Sequence, residues 1–265
     1  MAGQLQAGRD DRAAVDKAMS VLVAFGAEAA TGIGVSELAR RTSLPKSTTH
    51  RVLGTLERNG AVEKVGQRYR LGARLAELGR SVYAPDHDRI RDLMIPFLAD
   101  LWESTHETVH LAALHGTDVV YLSKVYGHRQ LKMPTRTGGR LPAHVTATGK
   151  ALLAHDPDAL ELTLARRLQR LTTRTVADAD SLLCQLAEVR QRGVAREDQE
   201  VVPGLSCIGV PVFGASGRPV AALSIAVPTS RVDPQIFEPL LRQIGRAASQ
   251  RMCRQPQARR SRDSA

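Results

Sequence analysis

Aromatic residues are scarce in this chain, making up 3% of its 265 residues. Surfaces that bind RNA or single-stranded DNA stack bases on aromatic rings, so the composition argues against a surface of that kind. Cysteine is almost as rare, with three widely spaced residues and no C-x-x-C pair. This spacing excludes a cysteine zinc ribbon and is typical of a reducing compartment.

Long apolar runs are also absent. No stretch approaches the ~20 residues that span a bilayer, and the first residues lack the apolar core of a signal peptide. Hydrophobic residues still make up 43% of the chain, enough for a packed core. We therefore predict a soluble, cytoplasmic protein that does not bind membranes.

Positive charge is in excess and unevenly distributed. The chain has 37 basic and 27 acidic residues, a net charge of +10. Residues 1–84 hold 13 basic and 8 acidic residues, residues 85–250 hold 19 and 18, and residues 251–265 hold 5 and 1. A basic N-terminal third beside a near-neutral body predicts a polyanion-binding module joined to a second domain.

The N-terminal third reads as a helix-turn-helix. The segment AAVDKAMSVLVAFG has apolar residues at helical spacing, namely Val15, Met19, Leu22 and Phe25. VSELARRTSLPKSTTHRVLGTLERNG then predicts two helices separated by a tight break at 43–45, with Ser36 capping the first. AVEKVGQRYRLG predicts a two-stranded hairpin, or wing.

The second helix of this motif places polar side chains opposite its buried residues Val52, Leu53 and Leu56. Its exposed N-terminal part is what such a helix offers to the major groove, where Arg51 can donate two bonds to guanine. Residues 40–70 hold eight basic and two acidic residues. A small helical domain with an ordinary charged face is the alternative. The predicted DNA contacts are Ser36, Lys46, Ser47, Thr48, His50, Arg51, Arg68 and Arg70.

The remaining chain alternates helical and strand patterns. We predict helices near 72–84, 90–104, 157–170, 178–192 and 233–251, and hairpins from TVHLAAL to VVYLSKV and from 206–213 to 219–227. The predicted organisation is a disordered N-terminus at 1–11, a winged helix-turn-helix at 12–72, a linker helix at 73–85, a ligand domain at 86–252 and a disordered basic tail at 253–265.

Residues 106–110, HETVH, match H-E-x-x-H, which on a helix binds zinc in metalloproteases. Here β-rich residues follow directly, so we predict that the segment begins a strand. In a strand His106 and His110 are roughly 13 Å apart and cannot share one zinc. We interpret His110 as a sheet residue, with the ligand cavity as the less favoured place for it.

LKMPTRTGGRLPAHVTATGKALLA (131–154) predicts a polar loop followed by a helix capped by Thr146 or Thr148. Gly149-Lys150 resembles the end of a phosphate-binding loop, but the full motif fails, so nucleotide binding is not predicted. The helix N-terminus suits a small anion such as a carboxylate. Glu197, Asp198 and Glu200 have no accompanying nucleophile, and we predict no enzymatic activity, cofactor or metal.

These motifs together resemble the IclR family of bacterial transcription regulators over roughly residues 12–255. The resemblance is carried by ELARRTSLPKSTTHRVLGTLERNGAVEK, ETVHLAAL, VVYL, LPAHVTATGKALLA and GLSCIGVPVF…VAALSIAVP. It implies a mixed α/β (α+β) fold, with a GAF-like effector-binding domain whose antiparallel sheet is flanked by helices. It also implies dimers or tetramers on palindromic operators in double-stranded DNA, controlled by small organic or aromatic acids.

Carried over residue by residue, the resemblance implies an effector cavity lined by Leu131, Ala147, Thr148, Glu197, Leu205, Cys207, Ser224 and Ala226. The family frequently has aspartate where Glu197 stands and typically has glycine where His106 stands, and some members have serine where Ala226 stands. The lost hydroxyl at 226 makes the cavity less polar. The expected function is a ligand-controlled transcriptional regulator. The alternatives are an architectural DNA-binding protein without a ligand and a zinc hydrolase that uses HETVH.

Overall fold

The computed structural model describes residues 13–82, 85–128 and 133–254. The chain divides into two compact units, Met1–Pro85 and Asp86–Ala265. The finer boundaries predicted at residues 72 and 252 remain expectations.

Three parts of the sequence-based prediction fall outside the described residues. They are the disordered N-terminus at 1–11, Leu131 of the ligand cavity, and all but the first two residues of the basic tail at 253–265.

The first unit combines four helices with a small antiparallel sheet of order β1-β3-β2. Its elements are α1 (Ala14–Val23), β1 (Ile33–Gly34), α2 (Val35–Thr42), α3 (Lys46–Arg58), β2 (Val62–Val65), β3 (Arg68–Leu71) and α4 (Ala73–Val82), with a 3-10 turn at Gly26–Glu28. α1 and α2 both pack against α3. The predicted winged helix-turn-helix is therefore confirmed, and β1 is a further short strand that sequence periodicity did not show.

The break between α2 and α3 depends on a left-handed residue and a buried leucine. Ser43 ends α2 with φ of 55°, and the amide of Leu44 donates to Ala39 O at 3.1 Å. Leu44 is buried, and Pro45 occupies the cap position of α3. The predicted capping role of Ser36 was wrong. α2 begins at Val35, one residue before Ser36, after Gly34, which provides no side-chain cap.

The core of the first unit lies where α1, α2, α3 and the sheet meet. Its buried residues are Val21, Phe25, Ile33, Leu38, Leu44, Leu53, Val62 and Tyr69. The predicted apolar face of α1 was partly wrong, because Val15 and Met19 are 72% and 55% exposed whereas Val21 is fully buried. Helical spacing identified the helix here but not the side that faces the core.

The second unit is built on an antiparallel sheet of order β6-β5-β4-β9-β8-β7. Its elements are α5 (Pro85–Thr105), β4 (Thr108–His115), β5 (Asp118–Val125), β6 (Arg140–Pro142), α6 (Ala147–Leu153), α7 (Pro157–Leu164), α8 (Ala179–Arg192), β7 (Ala195–Asp198), β8 (Leu205–Phe213), β9 (Pro219–Pro228) and α9 (Glu238–Cys253). Both predicted hairpins are present, as β4–β5 and β8–β9. α7 stops at Leu164, six residues before its predicted end.

Helices cover the sheet on both sides. A Cβ on Gly209 of β8 would lie 2.9 Å from Ala147 O of α6, whereas a Cβ on Gly245 of α9 would lie 2.7 Å from the Val210 side chain. Neighbouring residues of a strand point to opposite faces. α6 and α9 therefore pack on opposite faces of β8, as predicted for a sheet flanked by helices.

The HETVH segment joins α5 to β4 and is not helical. α5 ends at Thr105, His106 has φ of 53°, and β4 begins at Thr108. A left-handed φ favours glycine, the residue that the family often has where His106 stands. The His106 ring stacks on His128 with centroids 4.7 Å apart. The expectation that HETVH leads into a strand is confirmed, with the strand starting at the third residue.

Candidate nucleic-acid interface and ligand cavity

α3 presents an exposed polar face at its N-terminal half. Thr49 and Leu53 are fully buried against the core, which turns Ser47, His50 and Arg51 outward. The first turn of α3 contains no acidic residue. This face can therefore approach a polyanion without local charge repulsion.

The basic residues of this unit differ in how far they are already paired. Arg40 and Arg41 bind Glu37, and Arg41 also binds Glu28 at 2.8 Å. The bonds from Arg40 and Arg41 lower the pKa of Glu37 to about 2. Arg41 thus ties α2 to the residues after α1, and both arginines are already paired, so their charges are less available to DNA than the sequence indicates.

Lys46, Arg51 and Arg68 form no ion pair with another described residue. On the wing, Arg68 is exposed, whereas Arg70 donates to Glu63 at 2.7 and 2.9 Å. Those bonds lower the pKa of Glu63. The predicted basic contacts are thus of two kinds. Lys46, Arg51 and Arg68 have no ion pair among the described residues, whereas Arg70 must break its bonds to Glu63 before it can bind DNA.

Predicted contacts Lys46, Ser47 and His50 are exposed like Arg51, and Thr48 is half-buried. Ser36 is exposed on the first turn of α2. The geometry leaves all of these side chains accessible, and their contacts with DNA remain predictions.

A narrow cavity lies over the sheet of the second unit, beneath the start of α6. Its lining residues are His110, Tyr121, Met133, Thr135, Thr146, Ala147, Thr148, Glu197, Val201, Leu205, Cys207 and Ser224.

The α6 end of the cavity is shaped by close backbone packing. Thr146 caps α6 by accepting a bond from the Gly149 amide at 2.9 Å, as predicted for one of the two threonines. A Cβ on Gly149 would lie 2.1 Å from Ala143 O, so only glycine lets the helix start here. The capping bond and the close packing together bring Thr148 to the cavity wall.

Lys150, which resembled a phosphate-loop lysine, is fully buried and pairs with Glu200. Its Nζ also donates to Arg196 O at 3.4 Å, and the Val176 amide donates to Glu200 at 3.1 Å. A buried charge of this kind needs its partner. Lys150 is therefore a structural residue beside the cavity.

One side of the cavity is a hydrogen-bonded group centred on His110. His110 Nε2 lies 3.1 Å from Thr135 Oγ1, and Nδ1 lies 3.4 Å from Ser224 Oγ. Lys124 Nζ donates to Thr135 Oγ1 at 2.9 Å. Burial, and then the charge of Lys124, lower the pKa of His110 to about 3. The imidazole is therefore neutral near pH 7.

The other side holds a buried carboxyl group. Glu197 Oε1 accepts from the amides of Glu200 and Val201 at 2.6 and 3.2 Å. Its Oε2 atom is buried and has no hydrogen-bond partner within bonding distance among the described residues. Burial raises the pKa of Glu197 to about 7, while the Cys207 thiol beside the carboxyl group acts to lower it. This carboxyl group can therefore change protonation near neutral pH.

Cys207 and Tyr121 complete the polar lining as neutral groups. Cys207 pairs with Glu197 across β7 and β8, and burial followed by the nearby carboxylate raises the pKa of its thiol. Burial also raises the pKa of the Tyr121 hydroxyl, partly offset by a hydrogen bond with Thr148. Neither group carries a charge at neutral pH.

Most of the predicted effector contacts meet at this cavity. Ala147, Thr148, Glu197, Leu205, Cys207 and Ser224 line it. Ala226 does not. It lies two residues beyond Ser224 on β9, where it pairs with Thr108 and Cys207, and it is not among the residues that line the cavity. Leu131 lies outside the described residues.

Sequence reasoning missed several lining residues. His110 was expected in the sheet with the cavity as the less favoured place, and it is both in β4 and at the cavity. Alternation along β4 could have found its face. Tyr121, Met133, Thr135 and Val201 carried no sequence signal, since they come from a neighbouring strand and from loops.

Within residues 13–82, 85–128 and 133–254, no group of three or more histidine, cysteine, aspartate or glutamate side chains could hold a metal ion. In the same part of the chain, no helix is long and apolar enough to cross a bilayer.

The chain is similar to known proteins over both of its units. Residues 14–66 match the family model described as the IclR helix-turn-helix domain, and residues 83–254 match that of the bacterial transcriptional regulator IclR C-terminal domain. The HTH-type transcriptional regulator KdgR of Escherichia coli (strain K12) is 37% identical over 242 residues, which cover 88% of this chain and 91% of that protein.

Solved structures show the same architecture. The crystal structure of the Thermotoga maritima IclR matches with a TM-score of 0.72 at 30% identity, covering 90% of this chain and 98% of that one. An IclR homolog from Microbacterium hydrocarbonoxydans, complexed with 4-hydroxybenzoate, matches with a TM-score of 0.73 at 28% identity, covering 91% and 99%.

These matches define a class of protein, a DNA-binding transcriptional regulator with a C-terminal effector-binding domain. The chain belongs to the IclR family of bacterial transcriptional regulators. The resemblance noted from sequence motifs is thereby confirmed.

Proposed function

We propose that this regulator represses transcription by binding a palindromic operator as a homodimer or homotetramer, and that a small organic acid controls it. Repression is supported by relatives such as the transcriptional repressor IclR of Escherichia coli (strain K12), 32% identical over 224 residues. Because its target is chromosomal DNA, the protein acts in the cytoplasm.

The DNA contacts are made by α3 and the wing. Ser47, His50 and Arg51 face the major groove, and Arg68 binds phosphate or the minor groove. The support is their exposure together with the lack of ion pairs, among described residues, for Arg51 and Arg68. Symmetric pairing of two such units matches a palindrome, in which each recognition helix reads one half-site.

The small cavity with polar groups on opposite sides is the observation that supports effector control. Ser224 and Thr148 offer hydroxyls, whereas Leu205 and Val201 offer apolar wall. The Microbacterium homolog that binds 4-hydroxybenzoate has a similar fold. In this proposal the effector carboxylate lies near Thr148 and Ser224, with Cys207 as a further contact. Binding shifts the population between DNA-binding conformations.

The test is footprinting of the full-length protein on its own upstream DNA at physiological salt, with and without a panel of small carboxylic acids. We expect a discrete palindromic footprint that one acid weakens. Salt-sensitive binding without a discrete footprint would favour an architectural protein, and a footprint that no acid changes would contradict effector control.

The cavity assignment has its own test. Thr148→Val removes one hydroxyl while retaining side-chain volume, and we expect it to weaken binding of the acid found by footprinting. Thr163→Val is the matched control, since Thr163 is buried outside the cavity and donates to Ala159 O at 2.7 Å. Equal acid affinity in the two variants would contradict the role of Thr148.

A further inference from the structure

Four side chains form a continuous hydrogen-bonded chain into the cavity. Lys124 Nζ lies 2.9 Å from Thr135 Oγ1, which lies 3.1 Å from His110 Nε2. His110 Nδ1 lies 3.4 Å from Ser224 Oγ. Thr135, His110 and Ser224 are buried, and Lys124 is half-buried at the outer end.

The direction of this chain follows from its first member. A lysine ammonium group has donors only, so Thr135 Oγ1 must accept from Lys124. The hydroxyl of Thr135 has one hydrogen to donate, and its other partner among the described residues is His110 Nε2. Nε2 therefore accepts.

The tautomer of His110 extends this direction of hydrogen bonding to Ser224. A neutral imidazole that accepts at Nε2 carries its hydrogen on Nδ1. Nδ1–H then donates to Ser224 Oγ, which leaves the serine hydrogen without a partner among the described residues. Since Ser224 lines the cavity, that hydrogen can be donated to a ligand.

The opposite direction is unfavourable. If Nε2 carried the hydrogen, Thr135 Oγ1 would accept from both Lys124 and His110. The buried Thr135 hydroxyl would then have no acceptor among the described residues, and a buried donor without an acceptor is costly. Ser224 would also use its own hydrogen on Nδ1 and offer the ligand only an acceptor.

We propose that Lys124 fixes the direction of hydrogen bonding through Thr135 and His110, so that Ser224 is a dedicated donor and the effector places a carboxylate or carbonyl oxygen against it. This inference rests on the proposed effector-binding function. Lys124 and Thr135 are positioning residues, because they act on the ligand through His110.

The opposite wall of the cavity, at Glu197, indicates a second polar group on the ligand. Glu197 Oε2 has no partner in the described part of the chain. A hydroxyl group satisfies this atom in either protonation state, because a hydroxyl can donate to a carboxylate or accept from a carboxylic acid. The effector class is therefore a hydroxy acid, with its acid group at Ser224 and its hydroxyl at Glu197.

The direction is measured without any ligand, by NMR of full-length protein with ¹⁵N-labelled histidine rings. His110→Gln assigns the His110 signals by their loss. We expect a protonated Nδ1 and an unprotonated Nε2 at pH 7. Protonation at Nε2, or at both nitrogens, would overturn the proposal whatever the cavity binds.

Thr135→Val removes the link between Lys124 and His110, and Thr163→Val is again the control. We expect Thr135→Val to abolish the preference for protonated Nδ1, and Thr163→Val to leave it unchanged. Lys124→Met should act like Thr135→Val. Retention of the tautomer in both Thr135→Val and Lys124→Met would show that Lys124 does not set the direction.

Ligand selectivity is tested with 4-hydroxybenzoate and 4-methylphenol, which share the ring and the hydroxyl. Only 4-hydroxybenzoate has a carboxylate that can accept a hydrogen bond from Ser224. We expect 4-hydroxybenzoate to bind at least about tenfold more tightly, and Thr135→Val to reduce this ratio. Equal affinities would contradict the proposal that the ligand places a hydrogen-bond acceptor against Ser224. If the tautomer is as expected but no acid binds, the proposed effector function and the hydroxy-acid class are both wrong. The direction of hydrogen bonding from Lys124 to Ser224 would still be correct.

Discussion

The exposed face of α3 and the cavity over the six-stranded sheet both carry polar side chains, but they hold them in different ways. Arg51 of α3 is exposed, with no ion pair among the described residues, whereas Glu197 of the cavity is 1% exposed and bonded on one side. Exposed charges bind through long-range, salt-sensitive attraction. Buried groups bind through fixed hydrogen bonds and changes in protonation.

This difference predicts where substitutions act. Changes on α3 and the wing should alter DNA affinity with little effect on folding, because solvent surrounds those side chains. Changes in or beside the cavity should alter stability and ligand binding together, because each buried group has partners that lose a bond.

Lys150→Met should strongly destabilise the second unit. It leaves the carboxylate of Glu200 buried without its cation, which costs about 3–5 kcal/mol. The measurement is denaturant unfolding of the full-length protein. Glu200→Gln added to Lys150→Met should recover part of the loss. A double variant that is as unstable as Lys150→Met alone would contradict the pairing.

Glu197→Gln should stabilise the ligand-free protein at high pH. Burial raises the pKa of Glu197 from 4.5 to about 7, so the folded state binds the proton more tightly than the unfolded state. Stability therefore falls as pH rises from 4.5 to 7, by up to about 3 kcal/mol, and the glutamine variant lacks this loss.

This effect is measured by unfolding wild type and variant at pH 5 and pH 8. Their difference should be small at pH 5 and large at pH 8. Glu161→Gln is the control, because Glu161 is exposed on α7. If the difference for Glu197→Gln does not grow with pH, the carboxyl group is not held in a strongly desolvated state.

Arg51→Ala should weaken operator binding by about 1–3 kcal/mol and relax sequence preference at one position of each half-site, as expected for a lost guanine contact. Binding is measured on the operator and on single-base variants. Arg58→Ala is the control, since Arg58 is exposed at the other end of α3. A uniform loss on every sequence would make Arg51 a phosphate contact instead.

Arg68→Gln and Arg70→Gln compare a free cation with a paired one on the same strand. Arg68→Gln should reduce the slope of log affinity against log salt by about 1, as expected for one lost phosphate contact. Arg70→Gln should change the slope less, because Arg70 already binds Glu63. Equal changes would show that Arg70 leaves Glu63 on DNA.

Sequence patterns were most informative where structure is local. The α3 helix, its end at Asn59 and the wing turn at Gly66 follow from residue spacing and backbone preference, and all are present. β1 was missed because two residues, Ile33 and Gly34, show no alternation. The face of α1 was misjudged because a core contact, not periodicity alone, decides which apolar side is covered.

The cavity was predicted in part, and mostly through family resemblance. Glu197, Cys207 and Ser224, which the resemblance implies as effector contacts, line the cavity, whereas Ala226 lies beyond it. Strand alternation gives the face of a side chain but not where a cavity ends along the strand. Thr135 could not be predicted, because its loop reaches His110 only in the folded protein.

By itself the sequence determined the charge of the N-terminal unit, most of the helices and strands in their order, and the polar residues of α3 and the wing that are candidate DNA contacts. These depend on composition and on neighbours within a few positions. Only the tertiary structure decided which cations stay free, that Lys150 meets Glu200 fifty residues away, and that Lys124 reaches His110 through Thr135. Such pairings depend on how distant segments pack, because a hydrogen bond requires atoms within about 3 Å, however far apart they lie in the chain.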